Sequence, residues 1–217
     1  MKFNIAIDGP SAAGKSTIAK ILAKDLKYSH LDTGAMYRCV AYYAKNRGVD
    51  QSNENALTQM IEKMKITFDS LGNVFINDVD VSKEIRANDI SMMASNVSTF
   101  PKVRAKLVAL QQATAKGKGY IMDGRDIGSV VLPDAEVKVY MIASVEARAM
   151  RRYKEYVEKH IEADYDEIYK DIETRDFQDM NRENSPLKKA DDAVEIDTSN
   201  MSIQEVVSAI ANLIPKQ

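Results

Sequence analysis

Gly9-Pro10-Ser11-Ala12-Ala13-Gly14-Lys15-Ser16 satisfies the pattern G-x-x-x-x-G-K-[ST] in full. The chemistry of that pattern is phosphate binding. Gly9 and Gly14 free the backbone to turn its N–H groups inward around an anion, and a helix starting near Lys15 adds the positive end of its dipole. In such a loop Lys15 bridges the β- and γ-phosphates of a nucleoside triphosphate, and the Ser16 hydroxyl is a ligand for Mg2+. Average residue frequencies give a chance match of roughly one in a hundred for a chain of this length. A glycine turn that merely joins strand to helix is therefore set aside.

Arginine clusters at residues 32–38, 100–104, 123–126 and 175–182 lie outside the loop. Singly, each reads as a surface salt bridge or a turn. Arginine presents a planar fork that grips phosphate bidentately, so several of them beside a phosphate loop suit a second phosphorylated ligand. A guanine-reading Asn-Lys-x-Asp sequence would mark a GTPase. The nearest approach, Lys188-Lys189-Ala190-Asp191, lacks the asparagine.

For these groups to meet, strands and helices must bring them to one edge of a sheet. Residues 3–7 form a short β-favouring run ended by Asp8-Gly9-Pro10, and Ile18, Ile21, Leu22 and Leu26 then recur at helical steps. Strand, glycine loop and helix thus follow in the order the motif needs. Further strands are expected at 120–122, 137–143 and 193–196, alternating with helical stretches, which predicts a parallel sheet wrapped by helices. Ser144 is expected to cap one helix, and Ser202 with Glu205 forms a capping box ahead of Val206, Ile210 and Leu213. Ile66–Phe68 and Val74–Ile76 have a period of two and flank a loop containing Gly72, which predicts an antiparallel hairpin. The expected organisation is a core at 1–64 and 116–217 interrupted by an inserted subdomain at 65–115. From about 148 to 182 the chain is dense in charge, with tyrosines and isoleucines at helical spacing. It reads either as a solvated helical hairpin or as a mobile lid that carries arginines to phosphates.

Of the 217 residues 45 % are hydrophobic and 29 % charged, an ordinary globular balance for one α/β domain with an appendage. A net charge of −2 excludes a global field that recruits nucleic acid or anionic membrane, so any anion is held locally. The lone Cys39 excludes an internal disulfide and reads as a buried packing residue. His30 and His160 lie far apart, suggest no zinc site and read as incidental. Residues 1–8 are unlike a secretory leader, and no apolar run approaches the ~18 residues of a bilayer span. A cytoplasmic, monomeric enzyme is expected, with no membrane and no nucleic-acid polymer as partner.

The chain resembles the bacterial cytidylate kinases over nearly its whole length, on residues 8–17, 32–38, 100–104, 123–126, 128–134 and 175–187 and on the hairpin insertion. The resemblance implies an α/β P-loop fold of three layers, with a five-stranded parallel sheet, an acceptor-binding insertion and a helical lid. It implies ATP as donor, bound by Gly9, Pro10, Ser11, Ala12, Ala13, Gly14, Lys15, Ser16 and Thr17, with Mg2+ at Ser16. The implied acceptor is CMP or dCMP. Its phosphate would lie on Arg38, Arg125 and Arg182, its sugar on Tyr37, Arg175 and Asp179, and its cytosine against Ser95, Arg104 and Asp126, with Thr33 and Asp123 also on the acceptor side. An arginine over the donor phosphates is implied at the start of the lid. Arg148, Arg151 and Arg152 all stand there, the choice among them is open, and Arg152 joins Lys15, Arg125 and Arg182 as a catalytic candidate.

Two residues depart from the family pattern. Ala12 replaces a common glycine, which a negative φ would allow, and Thr33 replaces a common serine while keeping the hydroxyl. The enzymatic rival is a kinase of similar build with another small acceptor. The non-enzymatic rival is an ATP-binding module whose arginines hold a phosphorylated partner or RNA.

Overall fold

The computed structural model describes residues 2–69 and 72–215, so Ser70 and Leu71 of the expected hairpin loop lie outside the described residues. The chain opens with β1 (Ile5–Asp8), α1 (Lys15–Leu26), β2 (Ser29–Asp32), α2 (Thr33–Arg47) and α3 (Glu54–Glu62). An insertion follows, made of β3 (Ile66–Phe68), β4 (Val74–Ile76), β5 (Val79–Asp80), α4 (Asn88–Val97) and α5 (Pro101–Ala115). The chain then returns through β6 (Tyr120–Gly124), β7 (Val137–Ile142), α6 (Val145–Glu158), α7 (Tyr165–Asn181), β8 (Val194–Asp197) and α8 (Ile203–Ala211).

Five strands form a parallel sheet in the order β2-β6-β1-β7-β8. The central strands β1, β6 and β7 are buried on both faces, which is why they read as continuous apolar runs. Ile5 and Ile7 point to one face, where they join Ile121, Val139 and Met141 under α1 and α8. Ala6 points to the other and joins Leu31 and Met122 under α2 and the insertion. Cys39 packs in that second layer as expected, and burial pushes its thiol up to about 12.

The sequence reading omits β2. Its residues, Ser29-His30-Leu31-Asp32, show no alternation because the strand lies at the sheet edge and buries only its second half. It also omits β5, which makes the hairpin a three-stranded meander. Asn77 and Asp78 both have positive φ, 49° and 65°, so the β4–β5 turn runs on an Asn-Asp pair in place of the usual Asn-Gly. The predicted caps are present: Ser144 accepts from the Ala147 N–H, and Ser202 and Glu205 form the capping box of α8.

Although the insertion begins near residue 65, it has no separate core. Val74, Ile76, Ile85, Ile90, Val97, Val103 and Leu107 belong to the same buried cluster as Ala6 and Leu31 of the sheet. Register places the working ends together, with Asp8 opposite Gly124 and Asp32 opposite Asp123. The C-terminal ends of β1, β2 and β6, where open α/β sheets bind ligands, thus share one edge. Among the described residues no helix is long and apolar enough to cross a membrane.

A shared core predicts shared unfolding. Ile85 is fully buried, and Ile85→Ala should cost about 2–5 kcal/mol. Near-UV and far-UV circular dichroism should shift together on denaturation. Two separate transitions would make the insertion an independent unit.

Candidate functional site

At the edge where β1, β2 and β6 end, residues from the phosphate loop, α2, α4, β6, α6, α7 and the segment after β8 enclose a cavity of about 630 Å3. That volume is within the range of small-molecule sites. The loop leaves β1 at Gly9, where φ is 149° and an added Cβ would sit 2.1 Å from the Met141 carbonyl oxygen. Only glycine lets the loop pass this close to β7. Gly14, at φ 91°, starts α1.

Ala12 does not take the negative φ that its replacement of glycine called for. It sits at φ 58°, in the left-handed region, which costs a residue with a Cβ roughly 1–2 kcal/mol. The methyl group packs on the cluster of Ala149, Ile168 and Ile172 between α6 and α7. Helices α6 and α7 grip the loop by polar contacts as well. Asp176 of α7 accepts from the Ser11 N–H at 3.1 Å, while Arg148 donates to the Ser11 carbonyl at 3.0 Å and pairs with Asp176.

Lys15 is buried and donates to the Pro10 carbonyl at 2.6 Å. Desolvation, reinforced by the positive charge of Arg125, pulls its amine down to about 7. Ser16 donates to Asp123 Oδ2 at 2.6 Å. Asp8 takes no part at the loop mouth. It accepts from the Ile127 and Gly128 N–H groups at 2.7 Å and so fixes the segment that follows β6, and burial raises its carboxyl to about 6.

Arginines gather at the other end. Arg38 pairs with Asp32 at 2.8 Å, Arg125 with Asp179 at 2.7 Å, and Arg104 with Asp126. Arg182 lies 3.7 Å from Asp179 and 4.0 Å from Asp126. Two buried guanidinium nitrogens, Arg38 Nε and Arg182 Nη2, have no hydrogen-bond partner among the described residues, the second being the atom 4.0 Å from Asp126. Against desolvation, which raises it, Arg38 and His30 hold the Asp32 carboxyl down to about 2. Desolvation and the charges of Arg152 and Arg125 bring Arg175 down to about 10. Excess positive charge at this density is a receptacle for anions.

Every expected site residue beyond the loop lines this one cavity: Thr33, Tyr37, Arg38, Ser95, Arg104, Asp123, Arg125, Asp126, Arg152, Arg175, Asp179 and Arg182. The three lid arginines separate. Arg148 is spent on the loop and on the Ala143 carbonyl, and Arg151 donates to the Thr198 carbonyl. Arg151 and Arg152 both line the cavity, but Arg152 alone of the three makes no hydrogen bond or ion pair with the described residues. Asp126 is engaged by Arg104, Ser95 donates to Gln178 of α7 at 2.9 Å, and Thr33 turns its hydroxyl to the Asp123 carbonyl at 2.7 Å.

His30, read as incidental, is a correction: its Nε2 lies 2.6 Å from Asp123 Oδ1, with both side chains buried. Sequence reasoning also missed Arg86, which lines the cavity from the insertion, and Thr198, Met201, Ile203 and Val206, which line it near the loop. No motif marks Arg86. The others follow the C-terminal end of β8, so the strand-end rule could have found them.

The family model for cytidylate kinase matches residues 5–216. The chain is 49 % identical to the cytidylate kinase of Streptococcus pneumoniae (strain 70585) over 212 residues, covering 95 % of this chain and 94 % of that protein. Identity to the cytidylate kinase of Listeria welshimeri is also 49 %, over 214 residues, with coverage of 98 % and 96 %. Among solved structures, an uncharacterized protein from Eubacterium ventriosum ATCC 27560 aligns over 98 % of this chain and 97 % of that one. Its TM-score is 0.53 at 11 % identity, a likeness of fold alone.

The depressed amine of Lys15 predicts proton uptake on nucleotide binding. Between about pH 7 and 10.5 the nucleotide-free fold holds fewer protons at Lys15 than the unfolded chain does, so the cost of burying this group shrinks as pH rises. A polyphosphate beside the amine restores its charge. ATP binding at pH 8 should therefore take up close to ~1 proton, seen as a difference in calorimetric heat between two buffers of unlike ionisation enthalpy. Lys15→Arg should abolish the difference. Equal heats for the wild type would refute the assignment.

Proposed function

The chain belongs to the cytidylate kinase family, and from that premise and the two-ended cavity we propose that it transfers the γ-phosphoryl group of ATP to CMP or dCMP, giving ADP and CDP or dCDP. The observation that carries the reading is a phosphate loop and a cluster of buried arginines facing one another across a single cavity. A phosphate oxygen of the acceptor forms its bond to the γ-phosphorus as the bond to the β–γ bridging oxygen breaks. The transition state is loose and metaphosphate-like, so the protein contributes position and charge, and no general base is required.

On the donor side the loop from Gly9 to Thr17 binds the phosphates, with Lys15 bridging β and γ. Arg152, the lid arginine with no protein partner, reaches over them. On the acceptor side Arg38, Arg125 and Arg182 hold the phosphate, a role supported by all three lining the cavity. Tyr37, Arg175 and Asp179 take the sugar, and Ser95, Arg104 and Asp126 the base.

A family of this chemistry implies Mg2+. The hard oxygens Ser16 Oγ and Asp123 Oδ2, close together at the loop mouth, suit it, and they fit an ion that keeps waters and phosphate oxygens rather than a protein cage. Among the described residues no group of three His, Cys, Asp or Glu could form such a cage. When bound, the ion would neutralise the oxygens of the transferred group.

The substrates and the lone buried cysteine support a cytoplasmic setting. The near-neutral net charge argues against a nucleic-acid polymer as partner.

A coupled ADP-release assay tests the reading. CMP and dCMP should be phosphorylated with kcat/KM at least about tenfold above UMP, the scale of one good base-edge contact. Lys15→Ala should lower kcat by orders of magnitude in a folded protein. Asp126→Ala should narrow the CMP–UMP gap by about 1–3 kcal/mol. Equal losses on both acceptors would assign Asp126 to holding Arg104 alone. No activity on any cytidine nucleotide would overturn the proposal.

A further inference from the structure

His30 lies on β2, an element that supplies the cavity mainly through Asp32 at its end. Its ring reaches along the sheet edge, past its register partner Ile121, to Asp123 of β6. Nε2 meets Asp123 Oδ1 at 2.6 Å, and Asp123 Oδ2 accepts from Ser16 Oγ at 2.6 Å. The histidine and aspartate side chains are 8 % and 5 % exposed. Each carboxylate oxygen therefore has a defined partner inside the protein. An ionised carboxylate only accepts, so the Nε2 atom carries the proton of this contact.

Asp123 is otherwise poorly constrained. The positive charges of Lys15 and Arg125 both act on it, and either could draw the carboxylate away from Ser16. A carboxylate held by a single hydrogen bond can rotate about its terminal torsion, whose preferences are broad. One held through both oxygens cannot turn without breaking a buried bond. His30 is the second hold.

We infer that His30 is a positioning residue for phosphoryl transfer: through Asp123 it fixes the Ser16 hydroxyl and the Asp123 carboxylate in the arrangement that receives the nucleotide-bound divalent cation. The inference rests on the reading of Ser16 and Asp123 as the oxygen pair for that ion. Outer residues that orient a ligating group without touching the ion change metal affinity by about 10–100-fold when lost. His30 neither touches nucleotide nor lines the cavity, so its effect is confined to what Asp123 transmits.

Three variants separate this role from packing. His30→Leu fills similar space without a donor, His30→Gln carries an amide N–H at about the reach of Nε2, and Ser16→Ala removes the hydroxyl itself. In His30→Leu the Mg2+ concentration for half-maximal rate should rise about tenfold or more. ATP affinity measured in EDTA should stay within about twofold of wild type, because the loop and Lys15 are untouched. His30→Gln should match wild type in both measurements. In the metal-free, nucleotide-free protein, nitrogen NMR of the ring should show the Nε2–H tautomer. The proposal falls if His30→Leu leaves the Mg2+ requirement unchanged while Ser16→Ala raises it. Equal loss of metal-free and metal-loaded ATP affinity would also overturn it, as would a well-folded His30→Gln with the leucine phenotype or an Nδ1–H tautomer. A silent Ser16→Ala takes the proposal down together with the reading of Ser16.

Discussion

Burying positive charge is costly unless anions compensate it, and the structure is organised around that constraint. Lys15, Arg38, Arg125, Arg152, Arg175 and Arg182 all face one cavity. The carboxylates beside them, Asp32, Asp123, Asp126 and Asp179, satisfy part of the demand. What is left over appears as a lysine amine pulled down to about 7, an arginine down to about 10, and two guanidinium nitrogens without partners. In the proposed complex, phosphate groups at both ends of the cavity would complete the compensation. On the proposed reading the site favours polyanions before any base is read.

Holding such a cluster open requires a rigid frame, and carboxylates supply much of it by bonding backbone. Asp8 ties the segment after β6 to β1 through two N–H groups, and Asp176 ties the phosphate loop to the lid through the Ser11 N–H. Because the insertion shares its core with the sheet, acceptor-side residues such as Ser95 and Arg104 are fixed relative to Lys15 through packed side chains rather than across a hinge. The α6–α7 pair is attached differently. Its small cluster of Ala149, Ile168 and Ile172 meets the loop through the methyl of Ala12, so the segment that carries Arg152 and Arg175 rests on the loop itself.

How much of this was legible in the sequence follows from range. The phosphate loop is local, and its strand, turn and helix obey short-range rules that eight consecutive residues display. The central strands and the capping box were equally visible. Strand β2 was not, since an edge position relaxes the burial that produces a pattern. The left-handed Ala12 packs its methyl on helices more than a hundred residues downstream, a contact no local rule for turns contains. His30 is the sharper case. A lone histidine in a polar tetrapeptide has no signature, and it gains a role only because parallel pairing sets Asp32 opposite Asp123 and so brings β2 against β6. The arginines fell between these limits: their chemistry was legible, but which of Arg148, Arg151 and Arg152 was free depended on distant carbonyls and on Asp176.

The pairing pattern also explains how one cavity serves both binding and transfer. A loose transition state offers little covalent chemistry for side chains to perform, so rate comes from donors that already stand where charge will develop. Arginines alone would repel one another and splay. Here Arg125 is turned by Asp179, Arg104 by Asp126, and Arg38 by Asp32, each aspartate taking some of the fork. Arg182 lies within reach of two carboxylates and is fully claimed by neither. The aspartates therefore fix the direction of each guanidinium and lower the cost of assembling like charges, while leaving part of each fork free for the phosphate of the proposed complex. Neutralising any one carboxylate should then disturb both geometry and charge, since the arginine it oriented loses its direction and is left as a buried cation without compensation.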